Sequence, residues 1–239
     1  MASPATAPDS KAGTSIYNPH VLNFYDAFVL GFSNDYAWKC PTETVLLPLF
    51  QSAIGKRHLD VGVGTGYFPA TAVARDVDKV CQELTLLDLN PNTLQMAKQR
   101  VESVAGSAVR VDTVTGDATQ ALPLEGRVFD GMSLFYLLHC MPGPTASKLR
   151  VLDMLRPHLA PGGTLVGATI LGEEAAMNPL ARLLMSLYNW KGIFGNWEDN
   201  KKEIDCKLRG LFADVETWVV GRVMLFRARK PLDVVVAGN

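Results

Sequence analysis

Residues 58–68 have the sequence His58-Leu59-Asp60-Val61-Gly62-Val63-Gly64-Thr65-Gly66-Tyr67-Phe68, an apolar segment that leads into three alternating glycines. This order predicts a strand, a glycine loop and the start of a helix, the arrangement with which α/β domains open a nucleotide pocket. A dinucleotide-binding loop would follow the pattern G-x-G-x-x-G, with its third glycine at position 67. Position 67 is tyrosine here, and the pattern is D-x-G-x-G-x-G. The loop alone leaves open which nucleotide-like cofactor it binds.

Strands and helices alternate from residue 56 onward. Apolar strands are expected at residues 57–61, 83–88, 109–114, 129–135 and 164–170, with helices between them. Continuous apolar strands that alternate with helices indicate a parallel sheet covered on both faces. Two further strands, 215–220 and 223–228, are separated only by Gly221-Arg222, a link that permits an antiparallel hairpin but no parallel crossover. We therefore predict an α/β, doubly wound sheet with a C-terminal antiparallel hairpin.

The segments around the sheet region are expected to cover it. Residues 1–14 and 231–239 are predicted to be tails, and the sheet domain is expected to span residues 56–230. An N-terminal helical cap is predicted at 15–55, with one helix that ends at residues 31–34 and a second that has Thr42 as its N-cap. Residues 171–212 form an insertion of two helices, the second capped by Asn196. This insertion is either a lid over the ligand or an ordinary helical hairpin.

Composition and charge narrow the possible functions. The 239 residues are 48% hydrophobic, and 23 basic residues nearly balance 24 acidic ones, so no nucleic-acid partner is expected. The four cysteines are far apart and form no zinc motif. No apolar run reaches the roughly 18 residues of a membrane span, and no signal-peptide core is seen. We predict a cytoplasmic protein without a membrane partner, and leave monomer or homodimer open.

Acidic residues follow the predicted strands at the edge where a ligand of an open α/β sheet binds. Asp60 lies at the edge of the glycine loop, and Asp88 ends the second strand, where a carboxylate can accept both hydroxyls of a ribose. Asp117 and Ala118 follow the third strand, polar then small, which suits the amino group and ring of adenine. Each aspartate also has a structural interpretation, because Asp88 could cap a helix, Asp117 could form a turn, and Asp60 could brace the loop.

In order and spacing, these motifs resemble the class I S-adenosylmethionine-dependent methyltransferases across residues 57–170. In that family the glycine loop lies under the methionine portion, and the acidic residues after strands two and three bind ribose and adenine. A Leu-x-Pro-Gly-Gly turn, here residues 159–163, precedes strand five. The resemblance implies a Rossmann-like seven-stranded sheet of order 3-2-1-4-5-7-6. It also implies S-adenosylmethionine as cofactor, S-adenosylhomocysteine as product, and no metal.

The resemblance also suggests which residues contact the cofactor. Aromatic faces stabilise a sulfonium and shield it from water, and Tyr36 and Trp38 lie outside the helical pattern of the cap. The residues expected to bind the cofactor are Asp60, Gly62, Gly64, Gly66, Asp88, Leu89, Asp117, Ala118, Phe135, Tyr136, Trp38 and Tyr36.

The methyl acceptor is expected to be a small molecule. The segments Trp38-Lys39-Cys40-Pro41 and His139-Cys140-Met141-Pro142 most resemble small-molecule methyltransferases of microbial secondary metabolism. A nucleic-acid amino-methyltransferase would show [DNS]-P-P-[YF] after strand four, where this chain has Ser133-Leu134-Phe135-Tyr136. A short-chain dehydrogenase would need Tyr-x-x-x-Lys, which is absent. Methyl transfer to a carboxylate or hydroxyl oxygen is favoured. The alternatives are N-methylation of a small amine and a protein that binds the cofactor without catalysis.

His139 is the predicted catalytic residue. It follows strand four, near the place where the methyl group should emerge. A hydroxyl or amine acceptor needs a nearby base, whereas a carboxylate is already ionised and needs only orientation. We expect His139 to orient or deprotonate the acceptor. The structural alternative is a histidine that holds a loop or a helix start by a hydrogen bond.

Overall fold

A seven-stranded sheet forms the centre of the computed structural model, which describes residues 26–172 and 176–232. The strand order is β3-β2-β1-β4-β5-β7-β6, which confirms the predicted doubly wound, Rossmann-like fold. The strands are β1 (Arg57–Val61), β2 (Glu83–Asp88), β3 (Arg110–Thr115), β4 (Phe129–Phe135), β5 (Leu159–Ile170), β6 (Phe212–Val220) and β7 (Val223–Pro231).

The direction of the strands follows the length of the links between them. Strands β1 to β5 pair in parallel, and helices lie in the connections from β1 to β2, from β2 to β3 and from β4 to β5. Strand β7 pairs antiparallel with both β5 and β6, and Val220 lies opposite Val223 across the two-residue turn. Gly221 has a φ of 58° in that turn, a left-handed conformation that glycine adopts readily. The antiparallel hairpin predicted from the short link is confirmed.

Helices pack on both faces of the sheet. They are α1 (Ala27–Trp38), α2 (Thr42–Leu46), α3 (Leu47–Gln51), α4 (Tyr67–Ala74), α5 (Pro91–Ala105), α6 (Thr145–Lys148), α7 (Arg150–Leu155), α8 (Pro179–Trp190) and α9 (Lys201–Leu211). Leucines of α7 and α9 pack in one core cluster with β1, β4 and β5. Residues of α1, α3, α4 and α8 pack on the other face with β5 and β7, and α4 and α5 cover β2. The sheet is therefore buried on both sides.

The two helices of the cap differ from their prediction in where the first ends and how the second begins. Helix α1, which has π-helical spacing, continues through residues 31–34, where the sequence predicted its end. That prediction is wrong because Asn34 is fully buried with tertiary partners: its Nδ2 donates to Thr42 Oγ1 over 2.7 Å, and its Oδ1 accepts from Tyr136. Thr42 is not an N-cap either, because Pro41 holds that position and the Thr42 hydroxyl donates to the Leu30 carbonyl. Residues 15–25 of the predicted cap lie outside the described residues.

Two predicted loop features also differ from the structure. Residues 159–163 belong to β5 instead of forming a turn before it, and they bulge where pairing shifts between Phe129 and Gly131. Helix α9 begins at Lys201 with Asn200 as its N-cap, so the cap predicted at Asn196 is wrong. The buried Asn196 side chain instead donates to the Ile170 carbonyl over 2.9 Å. It therefore ties the insertion to the end of β5.

None of the helices within 26–172 and 176–232 combines the length and the apolar character that crossing a membrane requires. The cytoplasmic location and the domain boundaries drawn from the sequence stay predictions.

Helix α5 packs on β2, and the N-cap at the start of this helix allows a stability test. Asn90 Oδ1 accepts the Asn92 N–H over 2.9 Å, with Pro91 at the first helical position. We expect Asn90→Ala to lower the free energy of unfolding by about 1 kcal/mol, because the cap is lost. Urea unfolding followed by circular dichroism measures this. Asn92→Ala keeps the capped N–H and is the control; an equal loss in both variants would contradict the capping role.

Candidate active site

Two adjoining cavities open beyond the carboxyl ends of β1, β2 and β4. The cap-side cavity, of about 340 Å³, extends from the glycine loop under α1 to the insertion. The β3-side cavity, of about 380 Å³, lies between the ends of β2 and β3 and the last residues of α6. Both are lined by Gly62, Asp88, Leu137 and Cys140. Together they form one elongated site in the position typical of open α/β sheets.

The glycine loop approaches this site with its backbone. Gly62 has a φ of 73°, and a Cβ there would lie 2.9 Å from a methyl group of Leu137. Gly64 has a φ of 52° and no atom within 4 Å of its Cβ position, so it faces open space. A Cβ on Gly66 would lie 2.8 Å from the Ala97 backbone, so this glycine permits close packing on α5 and does not line either cavity. Two of the three glycines therefore adjoin the ligand space.

Asp88 lies where the two cavities meet. Its carboxylate accepts the Asn90 N–H over 2.9 Å, and backbone N–H groups of the glycine loop, among them that of Gly64, lie near enough to stabilise its charge. Burial raises the pKa of Asp88, and those N–H groups oppose the shift. Asp117 is exposed at the rim of the β3-side cavity, where its Oδ1 accepts from the backbone and hydroxyl of Thr119. Both aspartates thus hold their local turns and also line the site.

Asp60 is buried at the floor of the cap-side cavity. Its Oδ1 lies 2.5 Å from Ser133 Oγ on β4. Burial raises the pKa of Asp60 to about 7; the hydrogen bond to Ser133 opposes the shift, and the neighbouring carboxylate of Asp88 adds to it. An acid with this pKa is close to half protonated at neutral pH.

Tyr136 and Trp38 join the cap to the sheet. Tyr136 follows β4 with a φ of 59°, and its hydroxyl donates to Asn34 Oδ1 of α1 over 2.8 Å. Trp38 is fully buried, with its ring 6.0 Å from that of Phe194 in the insertion. Tyr36, by contrast, is 56% exposed, packs against the ring of Phe32 in a tilted arrangement and lines neither cavity. The cap therefore contributes Trp38 to the site and directs Tyr36 outward.

His139 lines the cap-side cavity between two aromatic rings. Its imidazole lies 5.2 Å from the ring of Tyr136 and 4.6 Å from that of Phe194, both in edge arrangements. Nδ1 accepts the backbone N–H of Ile170 over 3.3 Å. Burial, helped by the charge of Lys148, lowers the pKa of His139 to about 3. The ring is therefore neutral at physiological pH, and its proton is on Nε2, because the lone pair of Nδ1 is engaged.

Several residues of the site were not found from the sequence. Asp26 accepts from Thr65 Oγ1 over 2.7 Å and from Arg100, whose guanidinium lies 5.3 Å above the ring of Tyr67. This cluster clamps the residue that precedes α1 onto the glycine loop. Its members are 39 and 74 positions apart, and nothing local in the sequence indicates that they pair.

A buried ion pair holds the insertion. Lys148 and Asp199 are 1% and 2% exposed, and Lys148 Nζ donates to both carboxylate oxygens of Asp199 over 2.8 Å. It also donates to the carbonyl of Gly195, whose N–H donates to the His139 carbonyl over 2.9 Å. Thr145 completes the set by donating to Asp199. The pair therefore fixes the segment that places Phe194 against His139.

The structure brings most of the predicted site residues together. Those that line the two cavities are Asp60, Gly62, Gly64, Asp88, Leu89, Asp117, Ala118, Phe135, Tyr136, Trp38 and His139. Gly66 and Tyr36 lie outside them. Among residues 26–172 and 176–232, no three His, Cys, Asp or Glu side chains are grouped so as to hold a metal ion.

Comparisons with known proteins agree with this geometry. Residues 59–163 match the family described as a methyltransferase domain. An O-methyltransferase of Aspergillus niger is 48% identical over 181 residues, which cover 74% of this chain and 92% of the relative. The O-methyltransferase NEC2 of Pyricularia oryzae is 38% identical, covering 92% and 93%. A solved O-methyltransferase family protein of Burkholderia thailandensis shares the fold, with a TM-score of 0.64 and 16% identity; the match covers 90% of this chain and 61% of that longer one.

The chain therefore belongs to the class I S-adenosylmethionine-dependent methyltransferases that act on small molecules. The residues at the site fit this cofactor. The two joined cavities suit an elongated ligand, Gly64 leaves room at the loop, and the carboxyl groups of Asp60 and Asp88 adjoin that space. Carboxyl groups favour a cation such as a sulfonium or an ammonium.

The Lys148–Asp199 pair allows a test of how the site is held. We expect Lys148→Met to lower the free energy of unfolding by about 3–5 kcal/mol, because it leaves the Asp199 carboxylate buried and unpaired. The double variant Lys148→Met/Asp199→Leu, which removes both charges, is expected to recover most of that loss. Denaturant unfolding of the two variants and the wild type measures this. A double variant as unstable as the single one would show that lost packing, not the unpaired charge, is the cause.

Proposed function

We propose that this chain transfers a methyl group from S-adenosylmethionine to an oxygen atom of a small, flat and largely apolar acceptor. The observation that carries the proposal is that His139 lines an aromatic cavity beside the glycine loop with its Nδ1 engaged by a backbone N–H, which leaves Nε2–H as a hydrogen-bond donor. The similarity to O-methyltransferases supports oxygen as the acceptor atom.

The cofactor is proposed to lie across both cavities. S-adenosylmethionine, when bound, supplies an activated methyl group on a sulfonium. In this proposal Asp88 accepts the ribose hydroxyls, Asp117 and Ala118 hold the adenine, and Gly62 and Gly64 let the backbone approach the methionine portion. The N–H contacts that Asp88 already makes orient its carboxylate between the two cavities. Preorganisation of this kind lowers the entropic cost of binding.

The acceptor is proposed to occupy the cap-side cavity beyond the methyl group. Apolar and aromatic side chains dominate this part of the wall, which favours a flat ring system over a charged chain. They are Val29, Leu30, Trp38, Ile170, Tyr188 and Phe194.

His139 is proposed to orient the acceptor oxygen by donating a hydrogen bond from Nε2. The Nδ1 lone pair is engaged by the Ile170 N–H, and burial disfavours the imidazolium, so His139 is poorly suited to take up a proton. A donor stabilises an oxygen anion, so the proton of an acidic oxygen, such as that of an enol, a phenol or a carboxylic acid, can pass to water without a strong base on the protein. Of the two roles predicted for His139, orientation is the one that the geometry supports. We propose no metal for this transfer, and a cytoplasmic location.

Cofactor binding tests the assignment of Asp88. We expect Asp88→Ala to weaken S-adenosylhomocysteine binding about 10- to 100-fold, because charge-assisted hydrogen bonds to the ribose are lost. Isothermal titration calorimetry measures the affinity, and circular dichroism checks the fold. Asp78→Ala, which changes an exposed aspartate outside both cavities, is the control. Wild-type protein that is folded but gives no binding heat would contradict the proposed function itself.

Turnover tests the role of His139. Methyl transfer to a panel of phenols, enols, carboxylic acids and matched amines is followed by mass spectrometry. We expect O-methylated products, a loss of about 10-fold or more in kcat for His139→Phe, and a smaller loss for His139→Gln, whose amide can donate. Because burial places the pKa of His139 at about 3, we expect no inflection from this residue in the rate above about pH 5. Products methylated only on nitrogen, or full activity of His139→Phe, would contradict the proposal.

A further inference from the structure

A chain of buried polar groups lies under the glycine loop and has no part in the proposed transfer. His58 Nδ1 lies 3.3 Å from the Ala53 carbonyl, and His58 Nε2 lies 2.9 Å from Ser133 Oγ. Ser133 Oγ lies 2.5 Å from Asp60 Oδ1. His58 and Ser133 are completely buried and Asp60 is 3% exposed. The chain runs from a backbone carbonyl to the floor of the cap-side cavity, which Asp60 lines.

The protons in this chain can be counted from its ends. The Ala53 carbonyl only accepts, so His58 Nδ1 carries a proton. With neutral His58, Nε2 then accepts from the Ser133 hydroxyl, and Ser133 Oγ accepts from a protonated Asp60. With charged His58, Nε2 donates to Ser133, which donates to an ionised Asp60. The chain therefore has zero net charge in either arrangement. An ionised Asp60 with neutral His58 would leave two lone pairs facing each other at the Ala53 carbonyl.

Burial selects the uncharged arrangement. It lowers the pKa of His58 to about 4 and raises that of Asp60 to about 7. The ring of Phe50, 5.5 Å from His58, adds no polar group that would stabilise an imidazolium. With His58 neutral, the proton of the chain rests on Asp60.

The other titratable groups around Asp60 do not supply a countercharge. Asp88, at the end of β2, raises the pKa of Asp60 further. Asp26, which lines the same cavity from the cap, is paired with Arg100, and the neutral His139 lines it after β4. A cation in this cavity would therefore meet an acid that has to lose its proton before it can pair.

We propose that His58, Ser133 and Asp60 form a proton-linked unit, which holds Asp60 neutral in the empty site and releases one proton when a cationic cofactor group binds. The O–H bond of Asp60 breaks, its proton passes to a buffer base, and the carboxylate pairs with the ammonium or sulfonium group. This pairing offsets the unfavourable contact between lone pairs that an ionised Asp60 creates beside a neutral His58. His58 and Ser133 are positioning residues in this scheme, because they hold the acid without touching the cofactor. The inference rests on the proposed function only in taking S-adenosylmethionine and S-adenosylhomocysteine as the ligands.

The sign of the pH dependence follows from the linkage. The pKa of Asp60 is raised in the empty protein and falls when a cation is paired with it. Binding therefore releases a proton between these two values, and affinity rises with pH until the empty protein has lost the proton as well. Below about pH 7 the affinity is expected to rise by up to about tenfold per pH unit.

Calorimetry with S-adenosylhomocysteine, whose amino acid end carries the ammonium, tests the release directly. Titrations in phosphate and in imidazole, which differ in ionisation enthalpy, report the protons released. We expect about one proton at about pH 6 and almost none at about pH 8.5. Asp60→Asn is expected to abolish the release. Thr85→Val, which removes a buried hydroxyl of β2 outside this chain, is the control.

A second measurement needs no variant that might unfold. Nitrogen-15 NMR of histidine-labelled wild-type protein is expected to show His58 neutral with its proton on Nδ1, and His139 neutral with its proton on Nε2. The whole protein has four histidines, so the histidine signals are few and simple to assign. A His58 protonated only on Nε2, or heats that do not differ between buffers at about pH 6 although the ligand binds, would overturn the inference. No binding at any pH would contradict the proposed function and the coupling with it.

Discussion

The close packing of the glycine loop, between β1 and α4, against Leu137 and Ala97 is the constraint on which the rest of the site depends. Gly62 leaves no space for a side chain beside Leu137, and Gly66 leaves none beside Ala97 of α5. These contacts bring the loop backbone next to the end of β2, where its N–H groups favour the ionised form of Asp88 and so oppose the rise of its pKa. A methyl group at Gly62 or Gly66 would force these elements apart. The geometry of the cofactor site thus depends on glycine at positions 62 and 66, where any side chain would prevent the close packing.

Polar contacts then close the site from two sides. The cap is held by Tyr136 and Asn34 and by the pairing of Asp26 with Arg100, whereas the insertion is held by Lys148 and Asp199. In the cap and in the insertion alike, a polar side chain forms a hydrogen bond or an ion pair with a residue of the sheet domain near one of the two cavities. Buried polar groups of this kind cost free energy unless they are paired, so they favour one arrangement of the cover over alternatives. The cap-side cavity owes its shape to these pairings.

The two buried histidines show how partners assign different roles to one side chain. Both rings are held neutral by burial. His139 accepts a backbone N–H on Nδ1 and is left with a donor on Nε2, whereas Nδ1 of His58 faces a backbone carbonyl and has to donate. The first is thereby suited to an acceptor oxygen in the cavity, and the second to holding an acid in its protonated form. Neither tautomer follows from the residue type.

The sequence by itself determined the sheet, its C-terminal hairpin, the glycine loop and the acidic residues at the strand ends, because apolar periodicity and turn chemistry depend on near neighbours. Tertiary structure alone decided that α1 passes through Asn34, that Gly66 packs on α5 and that Tyr36 faces outward. It also decided how buried polar groups pair. Tyr136 and Asn34 are 102 positions apart, and Ser133 and Asp60 are 73 apart. Such groups find partners only where the folded chain brings distant segments together, so their pairing leaves no local pattern in the sequence.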